Sequence, residues 1–244
     1  MVQDKSRTSY HEFMHLDQAG PAIIVQDNMD RREFVAIKRI KRIASTPVYT
    51  VPAFESNQIV NIKEMFLEGD NLITVVYEQM DVSLRHIMAV KGGPLEAFEI
   101  AAICQDIVNG LLYIHEKLLL YYGTLGCSAV LLNQDGEIKI ANVAEAILER
   151  KVFSAVMAMA DIKCIGTIMM ELMEPATSIL DPCSTVLKNP EKWRDESGIK
   201  DFLAATQDNN SLRQLKETHG SCLRCQVFAA IRAAKIPWDM PLLL

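Results

Sequence analysis

Two short apolar runs near the start of the chain, Pro21-Ala22-Ile23-Ile24-Val25 and Phe34-Val35-Ala36-Ile37, flank the polar stretch Asp27 to Arg32. Runs of β-branched residues bounded by turn-formers predict two strands joined as an antiparallel hairpin. Leu72 to Tyr77 follows the turn Leu67-Glu68-Gly69-Asp70 and reads as a third strand, with Ile59 to Leu67 as a fourth. Together they predict a small antiparallel sheet. Between Arg42 and Gln58, Pro47 and Pro52 interrupt a weakly periodic stretch, so any helix there is short or broken.

Beyond Met80 the period lengthens. Ser83 to Val90 reads as helical, and Pro94 marks the start of a longer helix over Leu95 to Lys117. Its residues Ile100, Ile103, Ile107, Leu111 and Ile114 recur at three- and four-residue steps, which builds one apolar face on a core helix of about six turns. Val130 to Leu132 and Ile138 to Ile140 flank Asn133-Gln134-Asp135-Gly136, a strong hairpin signal. Phe153 to Met173 is again helical and apolar, with Asp161 and Lys163 its only charges before Glu171. Three further helices are expected within 190–206, 210–220 and 223–235. Strands first and helices after, with one embedded hairpin, predict an α+β chain of two lobes. Residues 1–10 read as a loose lead-in, 11–80 as the small lobe, 81–235 as the large lobe and 236–244 as a tail.

With 244 residues, half of them apolar, the chain can bury a substantial core. A net charge of −6 argues against a nucleic-acid partner, which needs a basic face. The basic cluster Lys38-Arg39-Ile40-Lys41-Arg42 reads as a solvated strand end. Six scattered cysteines imply no disulfide framework. With no apolar signal core and no stretch of about 18 uncharged apolar residues, an intracellular, cytoplasmic protein without a membrane span is expected. His219, Cys222 and Cys225 have metal-ligand spacing, but no fourth ligand lies nearby in the sequence, so helix-terminal coincidence is the simpler reading.

Several short stretches gain weight from their order. Val35-Ala36-Ile37-Lys38 is followed by Val75-Val76-Tyr77-Glu78-Gln79-Met80, by a long helix ending Tyr113-Ile114-His115-Glu116-Lys117, by the loop and hairpin Tyr121 to Ala144, and by Asp161-Ile162-Lys163. In order and spacing this resembles the eukaryotic protein kinase domain from about Phe13 to Lys235, with the flavour of the Ste20 and p21-activated branch. The resemblance implies a two-lobed fold with a small antiparallel-sheet lobe and a larger, mainly helical one. It places Lys38 where the family holds the nucleotide α- and β-phosphates, Tyr77 at the back of the adenine pocket, and Glu78 to Met80 at the hinge whose backbone bonds adenine. Asp161 falls where the family braces its catalytic loop from behind.

The same comparison implies missing chemistry. The glycine-rich loop becomes Gln18-Ala19-Gly20-Pro21, and proline has no amide to offer a phosphate. Counting back from Gln58-Ile59-Val60 to the family's helix glutamate reaches the neighbourhood of Pro47, and Glu55 sits too close to the next strand, so Lys38 is expected to lack its usual ion-pair partner. Tyr122-Gly123-Thr124 stands where histidine, arginine and aspartate belong; the family's lysine becomes Gly126 and its asparagine Ala129. Thr124 cannot serve as a carboxylate base, a loss of about 10² to 10⁴ in rate. Ala129 offers no oxygen to a metal, and Asn142-Val143-Ala144 replaces the metal-binding aspartate motif with a neutral amide. Asp161 follows within 20 residues, too soon for the family's activation segment, which is roughly twice as long. Arg213 stands near the family's arginine for that segment, or simply on a solvated helix face.

These losses point to a protein-kinase-like domain without phosphotransfer that acts by binding another signalling protein, for example an active kinase. No cofactor is expected, or at most weak ATP binding without Mg²⁺ through Lys38, Glu78 and Met80. The alternative is an unconventional ATP-dependent serine/threonine kinase that uses Lys38 with a displaced carboxylate, Glu145 or Asp135.

Overall fold

The structure is a computed structural model that describes residues 10–17, 19–27, 34–41, 54–68, 72–182, 184–194, 197–208 and 210–217. The strands β1 (Tyr10–Asp17), β2 (Pro21–Asp27), β3 (Phe34–Lys41), β4 (Ile62–Glu68) and β5 (Leu72–Glu78) form one antiparallel sheet in the order β1-β2-β3-β5-β4. Four of these were expected. The fifth, β1, corrects the expected sheet: Tyr10, read as the last residue of a loose end, opens it, and its hydroxyl donates to Glu64 Oε2 at 3.2 Å. β1 is an edge strand whose side chains are half-buried or exposed, Phe13 being 63% exposed, so it carries no buried apolar signature.

β3 is buried on both faces, and its alternation decides the cleft. Val35 and Ile37 join Val25 and Val76 in one cluster. Ala36 points the other way, with Ile24, Val60, Val75 and Tyr77. The register Ala36↔Tyr77 and Lys38↔Val75 therefore sets Lys38 on the face that meets the large lobe.

The second lobe begins with β6 (Val82–Ser83) and α1 (Leu84–Lys91), capped by the Ser83 hydroxyl, which accepts from His86 N. α2 (Ala97–Glu116) buries the predicted stripe Ile100, Ile103, Ile107, Leu111 and Ile114. Among the described residues α2 is long and apolar enough to cross a membrane by length and composition, yet here that stripe lies inside the main core. β7 (Val130–Leu132) and β8 (Ile138–Ile140) pair as expected and extend β6 into a three-stranded sheet. Their turn is held by Asn133 Oδ1, which accepts from Asp135 N and Glu137 N.

After β8 comes α3 (Val143–Leu148), a helix the sequence reading did not anticipate, and then α4 (Ala155–Met173). α4 buries Ile165, Ile168, Met169, Met170 and Met173, so the methionines at its end fill the core. Gly166 allows a close approach there: a Cβ would stand 2.4 Å from Thr206 Oγ1. α5 (Pro175–Leu180) and α6 (Ser197–Ala205) follow, with residues 212–217 helical at the end of the described chain. The expected interruption over 42–53, the His219, Cys222 and Cys225 spacing, the helix over 223–235 and the tail lie outside the described residues.

The architecture is thus α+β and two-lobed, as the protein-kinase resemblance implies, with a five-stranded sheet over a mainly helical lobe.

Candidate functional site in the inter-lobe cleft

Lys38 is 8% exposed and its ammonium makes hydrogen bonds to both lobes. Nζ donates to Asn142 Oδ1 at 2.6 Å and to the Ala19 carbonyl at 2.7 Å, while Asn142 Nδ2 donates to the same carbonyl at 2.7 Å. The three groups close a hydrogen-bonded triangle. Both residues that meet Lys38 have left-handed backbone, Ala19 at φ 55 and Asn142 at φ 58. Asparagine tolerates this conformation; alanine has no side-chain compensation for it. The next residue, Gly20, has its amide taken by Asp17 Oδ1 at 2.9 Å. An amide of the Ala19-Gly20-Pro21 turn is therefore already spent inside the protein, and Pro21 has none.

The expected absence of an ion-pair partner for Lys38 takes a particular form. Among the described residues no carboxylate reaches its ammonium, but Glu145 and Asp17 lie close enough to act on it through space. Burial lowers the Lys38 pKa from its ordinary value, with Glu145 and Asp17 opposing that shift. Burial likewise raises the Glu145 carboxyl, with Lys38 opposing. Desolvation outweighs mutual attraction at both groups, as is common for buried opposite charges held short of direct contact. Glu145 Oε2 accepts instead from the Tyr77 hydroxyl at 3.1 Å. Burial, then Glu145, raises the Tyr77 phenol well above its ordinary value. Glu55, the nearest acidic residue in sequence, is elsewhere: its amide is bonded to the Tyr113 hydroxyl on α2.

The space behind this triangle, lined by Ala36, Lys38, Val60, Tyr77, Leu131 and Ala141, has a cavity volume of about 10 Å³. That is about the room of one water, against roughly 300–1,000 Å³ for small-molecule sites. Part of the filling comes from α3, whose Ala144 and Leu148 share the apolar cluster of Ile73, Val75 and Tyr77. At the hinge, the Glu78 carboxylate takes Lys139 Nζ at 3.0 and 3.1 Å and the Asn61 amide at 2.8 Å. Met80 is 1% exposed and packed into the same cluster.

The loop below the cleft keeps its support. Asp161 is fully buried; its Oδ2 faces His115 Nε2 at 2.8 Å and accepts the Tyr122 amide at 2.8 Å, and Oδ1 accepts the Gly123 amide at 2.7 Å. The brace implied for Asp161 is present in full. Gly123 needs it in this shape, since its φ of 105 belongs to glycine. Tyr122 packs in the large-lobe core. Thr124 is exposed beside a polar pocket of about 370 Å³ that Ser128, Asn142, Glu145, Glu149 and Lys151 also line. Ala129 is buried and holds the Ala141 amide through its carbonyl. Ala129 thus offers no side-chain oxygen, and Asn142 Oδ1 already accepts from Lys38. Arg213 donates from Nε and Nη2, one edge of its guanidinium, to the two carboxylate oxygens of Glu116 on α2 at 2.6 and 2.5 Å, which favours the helix-surface reading.

The structure brings Lys38 and Asn142 into hydrogen-bond contact beside the hinge, and places Thr124 exposed and Ala129 buried on the loop. Sequence reasoning missed the Ala19 carbonyl and the helical seat of Glu145. The sheet order, the lysine opposite the loop and the buried aspartate beneath it define a protein-kinase-like domain. Comparison with curated proteins agrees. The chain is 31% identical over 90 residues to cyclin-dependent kinase G1 of Arabidopsis thaliana, 36% of this chain and 14% of that protein. It is 30% identical over 133 residues to cyclin-dependent kinase 11 of Dictyostelium discoideum, 50% of this chain and 37% of the relative. It is 26% identical over 132 residues to the serine/threonine-protein kinase CLA4 of Candida albicans, 51% of this chain and 14% of the relative. The matched stretches thus cover well under half of each relative's length. No family model matches the chain.

Proposed function

We propose that the chain is a pseudokinase of the Ste20 and p21-activated type, a protein-kinase-like domain that does not transfer phosphate and acts by binding another signalling protein in the cytoplasm. The single observation that carries this reading is the 2.6 Å bond between Lys38 Nζ and Asn142 Oδ1. The two side chains that would meet phosphate and metal satisfy each other. Phosphoryl transfer depends on positioning and on cations that neutralise developing charge, and Lys38 and Asn142 are each already engaged by the other. Thr124 as the stand-in for the base and a cavity of about 10 Å³ in place of an adenine pocket support the same reading. An active kinase is the partner class that fits the resemblance best.

The competing reading, a weak serine/threonine kinase, requires Glu145 or Asp135 as a displaced carboxylate. Glu145 is engaged by the Tyr77 hydroxyl, and Asp135 is exposed in the β7–β8 turn. With γ-labelled ATP and a generic acceptor protein, the purified chain is expected to give no incorporation above background, with Lys38→Ala indistinguishable from wild type. Incorporation that disappears in Lys38→Ala would sink the proposal.

A further inference from the structure

We propose that the Ala19 carbonyl, Lys38 and Asn142 form an inter-lobe latch that, with α3 seated against the sheet, holds the β1–β2 turn down and keeps the space between Lys38 and Tyr77 closed from within, while the polar pocket of about 370 Å³ beside Thr124 stays open. The inference deepens the pseudokinase reading, since it gives a cause for the closed space at the hinge.

Three independent features point to a latch rather than a chance contact. First, the contact is over-determined. One carbonyl receives two donors from different lobes, and Lys38 and Asn142 are 104 residues apart in the chain. Second, the backbone is held in disfavoured conformations at both ends of it. A non-glycine residue in the left-handed region is strained, alanine more than asparagine, and such conformations persist where the surroundings enforce them. Ala19 and Asn142 are two of the four non-glycine residues with positive φ among the described residues. Third, α3 is placed as an occupant. It starts directly after Asn142, buries Val143, Ala144, Ala146 and Leu148, and sends Glu145 to Tyr77 at the back of the cleft. Turn, sheet and large lobe are thereby joined through residues 19, 38, 77, 142 and 145.

The geometry assigns Asn142 a double task, accepting from Lys38 and donating to Ala19, which its two candidate replacements separate. Asn142→Gly keeps the left-handed backbone without strain and removes both bonds. Asn142→Asp keeps an oxygen toward Lys38 and removes the donor to Ala19. The full chain is followed by amide hydrogen exchange, with peptides from α2 as the internal reference for global opening. Asn142→Gly is expected to accelerate exchange over residues 16–24 by at least about tenfold relative to α2, and Asn142→Asp by a smaller factor confined to the same residues. Exchange over 16–24 that is unchanged in both variants, or that rises only in step with α2, overturns the latch. This readout does not depend on nucleotide, so failure of the latch is distinguishable from failure of the pseudokinase reading.

Discussion

Asp161→Ala is expected to lower the unfolding free energy by about 4 kcal/mol, the largest effect of any single substitution proposed for this protein. The carboxylate is fully buried and is met by the Tyr122 amide, the Gly123 amide and His115 Nε2 at 2.7 to 2.8 Å. Removing it leaves those three groups without partners in a dry interior, at about 1–3 kcal/mol for each buried group left unsatisfied. A domain has only about 5–15 kcal/mol to lose. Asp161→Asn is expected to do less damage, because one oxygen still accepts an amide while the new NH₂ confronts a donor. Denaturant melts of the three proteins check this. A loss below about 1 kcal/mol in the alanine variant would mean that the brace is not what holds the loop.

Glu145→Gln is expected to act in the opposite direction and stabilise the chain near neutral pH. Burial raises the Glu145 carboxyl above its ordinary value, so the folded state binds a proton there more readily than the unfolded state. Its contribution to stability is therefore greatest below the ordinary carboxylate value of 4.5 and declines as pH rises through the raised folded value. Above that the folded protein carries a poorly solvated charge faced by Lys38 from the small lobe, by Tyr77 and Tyr122, and by Glu149 on its own helix. Glutamine keeps an acceptor for the Tyr77 hydroxyl and carries no charge. Thermal unfolding from pH 5 to 8 is expected to show a higher midpoint for Glu145→Gln at pH 8 and a smaller gain on acidification than in wild type. Asp106, raised by burial to about 6, adds a slope of the same sign in both proteins and cancels in the comparison. A lower midpoint for Glu145→Gln at pH 8 would show that attraction to Lys38 outweighs the desolvation of Glu145.

Much of the frame was legible because it is written in local periodicity. The stripe on α2, the paired runs of β7 and β8 around an Asn-to-Gly turn, and the apolar course of α4 each carry their own signal. β1 does so only weakly, because Met14 and Leu16 are its two apolar residues turned to the core, while Phe13, beside the register shift, stands in solvent. α3 is six residues long, too short for a helical period to emerge, and Val143, Ala144, Ala146 and Leu148 look in sequence like any apolar run. The candidate site was legible through motif order alone, which named Lys38, Asn142 and Asp161. Its physical state was not. A backbone carbonyl has no identity in a sequence, so Ala19 could not be singled out, and an asparagine in place of an aspartate gives no sign that it will turn to the lysine. Packing of α3 against Ile73, Val75 and Tyr77 depends on contacts about 70 residues apart, which no local pattern encodes.

Ligand-dependent stability tests most directly the proposal that a two-lobed kinase-like fold is kept while its nucleotide space at the hinge is closed. A ligand that binds the folded state at a hundredfold excess over Kd adds about 2.7 kcal/mol, several degrees in the thermal midpoint of a domain. With millimolar ATP, with and without Mg²⁺, the midpoint of the wild-type chain is predicted to stay where it is without ligand. A midpoint that climbs with ATP concentration and does so less in Lys38→Ala would contradict the account.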